Sequence, residues 1–444
     1  MENPFQTKMI NSIWFYVFAA SLGPFNFGWH LSELNTPKKY LQCQSTEQKD
    51  CMNMSDTMFS FITAAFTIGG LLGSLLGSFL KQGRRPQLLL SAIFTVAGSL
   101  FKSTNMYVAM LIIGRLLVGI GSGLALLNAP IYVNEISPLN KRGVYGTMIL
   151  ISVTIGISVA SLCGYLGLYW QYLLGIPVIT GTLQFIAMYF SPESLNYTEI
   201  HTESIIDSKD NSARHSDVPN WHTPVIDPTN QTFLKFIKNK LFIRLLVVVM
   251  IAQSCLQLSG INAIFFYSST ILESLFGDKA PLFSFLITLF NFITAFLPGV
   301  LAERAGRRKT LISSILLTGI AQFGVMLSLL FNSPISSFIF ILLVILSFQL
   351  GLGILPYTII GELFDDSVVN YANVLANSIN WISNFIVSFG FIPLTALAGP
   401  YVFIFFIVYC FMSGTILYVL MPETKDKSPL DILAALNQSS QHNE

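Results

Sequence analysis

The chain has 444 residues, 53% of them hydrophobic and only 11% charged, with a mean hydropathy of +0.63. A soluble domain carries about 25% charged residues, so this deficit excludes a disordered or collagenous chain and argues against a large soluble enzyme. The 24 Lys and Arg against 23 Asp and Glu leave a net charge of +1, which gives no basic field to hold nucleic acid. The composition is that of a membrane protein.

A helix crossing the hydrocarbon core needs roughly 20 mostly apolar residues. Such runs lie near 13–34, 57–80, 87–104, 106–133, 145–165 and 169–190, then near 242–272, 281–302, 310–331, 336–361, 370–397 and 401–421. They are rich in Gly, Phe and Ile without strict alternation, which predicts helices rather than a barrel. The fold class expected is an all-α membrane protein of twelve transmembrane helices in two six-helix bundles. The bundles are 1–190 and 242–421, joined by a polar linker at 191–241 with short helices and followed by a tail at 422–444. The linker is too short and polar to bury a core of its own. The first apolar run is too long for the core of a cleavable signal.

Basic residues set the orientation. With the N-terminus cytoplasmic, 18 Lys and Arg fall inside, among them Arg84, Arg85, Arg142, Arg304, Arg307 and Arg308. Five fall outside, namely Lys38, Lys39, Lys49, Lys102 and Lys279, and Arg115 lies within a span. This bias predicts both termini inside, in a chain expected at the plasma membrane.

Three motifs repeat at nearly one offset. Gly83-Arg84-Arg85 recurs as Gly306-Arg307-Arg308 after 223 residues, Glu135 as Glu362 after 227, and Pro192-Glu193 as Pro422-Glu423 after 230. One Gly-Arg-Arg alone is a positive-inside loop. The repeated set predicts two halves related by an axis along the membrane normal, with a site between them at mid-membrane.

Taken together, these motifs resemble the sugar porter branch of the major facilitator superfamily, most closely its facilitative hexose transporters. The residues that carry the resemblance are Gly114-Arg115, Glu135-Ile136-Ser137-Pro138 with Arg142-Gly143, and Pro192-Glu193-Ser194. In the second half they are Gln257 to Asn262, Glu303 to Arg308, Asn380-Trp381-Ile382-Ser383-Asn384-Phe385 and Pro422-Glu423-Thr424-Lys425. The resemblance runs from about residue 20 to 430 and implies transport of a hexose, glucose first, by alternating access.

The residues fit that chemistry on their own terms. A hexose needs neutral amides, which both donate and accept, and an aromatic wall. Gln253, Gln257 and Asn262 share roughly one helical face of span seven, and Gly260 between them allows unwinding. Asn291 lies in span eight, Gln349 and Tyr357 in span ten, and Asn380, Trp381 and Asn384 in span eleven. The alternative for any one amide is interhelical glue, worth about 0.6 kcal/mol per pair. Gln257, Asn262 and Asn291 match sugar-contacting positions by resemblance.

The chain also departs from the family pattern. Ser161 stands where a glutamine is usual, Leu256-Gln257 where two glutamines are, Gln349 where an acid is, and Tyr357 where a tryptophan is. Three of these remove or shrink a hydrogen-bonding group, each worth about 1–3 kcal/mol when its partner stays buried, which predicts an altered hexose preference.

The inner-face charges Arg84, Arg85, Glu135, Arg142 and Glu193 belong to the first half; Glu303, Arg304, Arg307, Arg308, Glu362 and Glu423 belong to the second. Ion pairs between helix ends are expected to hold the inner gate shut and to break on opening; the alternative is a topology signal alone. Val369 replaces the family's usual Arg, and no acid precedes Lys81-Gln82-Gly83, so the lock is expected to be looser.

In span one, His30 stands where facilitators carry Asn and proton-coupled relatives Asp, with Glu33 one turn away and Arg115 at the family's paired position. Ionisable groups in a span are functional hypotheses, so His30, Glu33 and Arg115 form a candidate proton relay. The alternative places Glu33 at a wet outer mouth, where it only neutralises its neighbours. Facilitated diffusion is the expectation, with proton symport the rival.

Cys43 and Cys51 share the first outer loop and are disulfide candidates. Cys163, Cys255 and Cys410 read as apolar fillers. Asn53-Met54-Ser55 is a sequon on the same loop, while those at Asn196, Asn230 and Asn437 face inward on this topology. No Gly-x4-Gly-Lys-Ser/Thr loop is present, so gradients drive transport, and neither enzyme activity nor a cofactor or metal is expected. The partners are a small sugar and the bilayer. A non-transporting sugar receptor of this fold would carry a long signalling tail; the tail here runs only from 422 to 444.

Overall fold

The computed structural model describes residues 4–44, 51–80, 82–104, 107–138, 141–194, 233–297, 306–365, 368–425, 427–429 and 431–435. Glu303, Arg304, the Arg142 side chain, most of the linker and the sequons at Asn196, Asn230 and Asn437 lie outside the described residues. Each of the twelve expected spans is helical over most of its described residues. In the first half these are α1 (Pro4–Ser32), α3 (Asp56–Phe79), α4 (Arg84–Thr104), α5 (Val108–Ile136), α6 (Arg142–Tyr165) and α7 (Trp170–Tyr189), with a short α2 (Lys38–Leu41) in the first loop.

The second half begins with a short α8 (Phe233–Lys238). Its spans are α9 (Lys240–Leu258) with α10 (Ile261–Phe276), α11 (Ala280–Thr294), α12 (Arg307–Leu330), α13 (Pro334–Leu350) with α14 (Leu355–Leu363), α15 (Val369–Ala398) and α16 (Phe403–Leu420). Two spans are therefore broken. Ser259-Gly260 separates α9 from α10, with Gly260 at φ +86°, a conformation open to glycine at little cost. Gly351 to Ile354 separates α13 from α14. Free backbone groups inside a membrane must find partners. Gln322 of α12 donates to the Ser259 carbonyl at 2.7 Å, and the Ser314 hydroxyl accepts from the Leu352 amide at 2.9 Å.

Proline starts several helices where its missing amide is harmless: Pro281 in α11, Pro334 in α13 and Pro356 in α14. Ser55 caps α3 by accepting from the Met58 amide at 3.2 Å. Within the first half, α3 and α5 approach so closely that a Cβ on Gly119 would strike the Phe66 carbonyl, the small-residue packing common between membrane helices.

The halves meet along α3 with α15 and along α6 with α11, with α1 touching α10. Both described chain ends lie on one face. The opposite face carries the Cys43–Cys51 disulfide and a loop tied to α3 by Lys38–Asp56 at 3.0 Å and Gln42–Asp56 at 3.1 Å.

Candidate functional site

The amides expected at the site converge where α9 breaks. Gln253 donates to the Pro356 carbonyl at 3.0 Å, Asn380 donates to the Gln253 side chain at 2.8 Å, and Gln257 donates to Asn380 at 3.0 Å. Asn262 then donates to Gln257 at 2.6 Å and to Asn384 at 3.1 Å. One chain of amides thus runs through Gln253, Asn380, Gln257, Asn262 and Asn384, drawn from α9, α10 and α15. The break at Gly260 keeps Asn262 in line with Gln257 across two separate helices. A second pair, Gln349 donating to Asn291 at 2.7 Å, joins α13 to α11. Each of these seven amides is at most 5% exposed.

The network leaves groups over. The Gln349 and Gln322 side-chain oxygens, the Asn384 amide nitrogen and the Ser161 hydroxyl are buried without a protein partner. Such atoms are costly unless something else satisfies them. Tyr357 interacts with Asn380 and is 44% exposed. Trp381 is edge-on to Phe27 at 6.0 Å and to Phe66 at 6.1 Å, both from the first half. Its ring packs directly on Gly70, where any side chain would collide with it.

The first half holds a different chemistry. His30, Glu33 and Arg115 are brought together as expected, and all are fully buried. Arg115 donates to Glu33 at 3.0 Å and to the carbonyls of His30 at 2.9 Å and Thr63 at 3.2 Å, and it lies 4.7 Å over the Phe66 ring. Two expectations are corrected here. Glu33 is not at a wet outer mouth; it is 0% exposed and held on all sides. Lys102 is not an outer-loop residue; it lies in α4 at 0% exposure, with Nζ bonded to Glu33 and 3.1 Å from His30 Nδ1. His30 Nδ1 is also 3.0 Å from Glu33.

The repeated motifs form matching structures on the face of the chain ends. Arg84 lies 3.8 Å from Glu135, and Arg307 lies 3.1 Å from Glu362. Glu193 accepts from the Arg85 amide at 3.1 Å, as Glu423 does from Arg307 at 2.9 Å. Arg85 donates to the Tyr189 carbonyl and Arg308 to that of Tyr418, each lying over the tyrosine ring. All of these pairs tie helix ends within one half. Among the described residues, the polar contacts between halves lie nearer the disulfide face: Asn35 donates to Ser268 at 2.7 Å and Ser284 at 2.8 Å, Ser158 to the Thr288 carbonyl at 2.7 Å, and Lys39 pairs with Glu273 at 2.9 Å.

Comparison with known proteins settles the family. The profile of the family described as "Sugar (and other) transporter" matches residues 16–433. The chain belongs to the sugar transporter family. It is 31% identical to mouse facilitated glucose transporter member 3 of solute carrier family 2, covering 97% of this chain and 94% of that one. It is 30% identical to human member 4, covering 98% and 93%. The crystal structure of a D-xylose-proton symporter superposes with TM-score 0.76 at 19% identity, covering 94% of this chain and 99% of that one. An inward-open xylose transporter from E. coli matches at the same TM-score and identity. These likenesses carry the fold. This sugar-family transporter is thus an integral, multi-pass membrane protein with the major facilitator fold of twelve helices in two bundles.

Proposed function

We propose that this transporter carries a hexose, glucose first, down its gradient by alternating access, with Gln253, Gln257, Asn262, Asn291, Gln349, Tyr357, Asn380, Trp381 and Asn384 as the sugar-binding side chains. The observation that carries the reading is the continuous amide chain beside the Gly260 break, with unpartnered Asn384 and Gln349 atoms at its edge. Amides can exchange bonds among themselves for bonds to sugar hydroxyls at little net cost. The named relatives transport glucose by name, which supports the same substrate class here.

The inter-half bonds at Asn35, Ser158 and Lys39 support a state closed on the disulfide face. With the chain ends cytoplasmic at the plasma membrane, that state is inward-facing. Gating is assigned to the repeated inner charges: Arg84, Arg85, Glu135, Arg142 and Glu193 in the first half, and Glu303, Arg304, Arg307, Arg308, Glu362 and Glu423 in the second. The intra-half pairs fix helix ends so that each bundle moves as a body.

Proton symport through His30, Glu33 and Arg115 is the second reading, favoured by the presence of a buried carboxylate in the first half. The test is uptake of labelled hexoses, pentoses and polyols in cells stripped of their own transporters. Hexose entry that stops at the outside concentration supports the downhill reading. Surface-delivered protein that moves none of these solutes rejects the transporter, and concentration abolished by a protonophore establishes symport.

A further inference from the structure

We propose that Lys102 is an internal counter-ion, occupying beside Glu33 the place a carried proton would take, and that its presence makes this chain a facilitator. The inference rests on the downhill reading above. Among the described residues Glu33 is the one fully buried carboxylate. A buried acid within a span is the default carrier of a proton, because protonation relieves the cost of burying its charge.

The geometry denies Glu33 that role. Arg115 Nη1 reaches Oε1 at 3.0 Å, and Lys102 Nζ bonds the same oxygen. His30 Nδ1 reaches Oε2 at 3.0 Å. Arg115 alone would balance the carboxylate, so Lys102 is one cation in excess. A carboxylate in contact with two cations keeps its charge and has no proton to take up or release during the cycle.

Among the described residues, the surroundings leave Lys102 no other acid. From α1 comes His30, from the turn just after it Glu33, and from α5 Arg115. From α3 come the Ile62 and Thr63 carbonyls, taken by Arg115, and the Phe66 ring. Tyr267 of α10 stands near Arg115, and α7, packed on α4, has no charged residue. The cluster also lies one side chain from the proposed sugar site. Phe66 lies 5.9 Å from the His30 ring and 6.1 Å from Trp381, so a change of charge at the cluster reaches that site through one side chain.

The test is sugar flux in proteoliposomes carrying a pH dye. Wild-type protein is expected to move glucose without moving protons. Lys102→Met, which leaves Glu33 with Arg115 and His30, is expected to move protons with sugar. Its uptake should steepen toward about tenfold per pH unit where one proton must bind. Adding Glu33→Gln to Lys102→Met should abolish that dependence.

Folding is read separately by thermal stability in detergent. Glu33→Gln alone strands two cations and should melt well below wild type, and the double variant should recover. Active Lys102→Met protein that moves no protons overturns the counter-ion, as does a double variant no more stable than Glu33→Gln. Proton movement by the wild type overturns instead the downhill reading on which this inference stands.

Discussion

The two halves share a frame and differ in what they bury. At the face of the chain ends the correspondence is close: Arg84–Glu135 against Arg307–Glu362, Glu193 under Arg85 against Glu423 under Arg308, and Arg85 on Tyr189 against Arg308 on Tyr418. Away from that face it ends. The first half buries His30, Glu33, Lys102 and Arg115 where the disulfide-side ends of α1, α4 and α5 meet, whereas the second buries neutral amides around two helix breaks. Charge fixed by several partners resists rearrangement; amides beside unwound backbone are suited to trading partners with a ligand. The two halves repeat the parts that orient helices and differ in the polar groups they bury.

The largest way to break this contrast is Gly260→Val. The position has φ +86°, and a Cβ there would lie 2.7 Å from the Phe406 ring and 2.8 Å from the Gln322 amide. Left-handed backbone costs a non-glycine residue roughly 1–2 kcal/mol and overpacking about 1–3 more. The variant should lose most of its thermal stability and all its flux, measured by melting in detergent and by uptake. Next comes Asn380→Leu, which removes bonds to both Gln253 and Gln257. At about 1–3 kcal/mol for the lost partners, KM for glucose should rise roughly tenfold to a hundredfold in protein that still reaches the membrane.

Gln257→Ala and Asn291→Ala should each raise KM by about fivefold to tenfold, the effect of one lost hydrogen bond. Normal kinetics in both would reject the proposed cleft. Smaller again is the difference between the repeated ion pairs. Arg307→Ala should shift the inward–outward balance, read by labelling of introduced cysteines, more than Arg84→Ala does, because its pair is shorter. Either effect should stay within about 1 kcal/mol. Smallest is Lys39→Ala at the half-exposed Lys39–Glu273 pair, where the shift toward the outward state should be barely measurable.

The spans were legible because each is a long apolar run, and the two halves because three motifs return at one spacing. The break at Gly260 was legible too, since glycine amid amides in a span has few other uses. Lys102 was not. Its charge places it in a loop by the usual bias of basic residues, and only the packing of α1, α4 and α5 shows that its stem crosses inward to Glu33. Gln322 and Ser314 escaped for a related reason: a lone amide or serine in a span gives no sign that its task is to satisfy the broken backbone of a different helix. The half of each inner charge was legible, but its partner was not, because sequence spacing does not say that Arg84 meets Glu135 and Arg307 meets Glu362.

Reconstituted flux tests the central claim most directly. Purified protein in liposomes, given labelled D-glucose outside with an acid exterior and a negative interior, is expected to fill the lumen only to the outside concentration, with competition by unlabelled D-glucose and none by L-glucose. Accumulation above that concentration, or no glucose entry by correctly folded protein, would contradict the account.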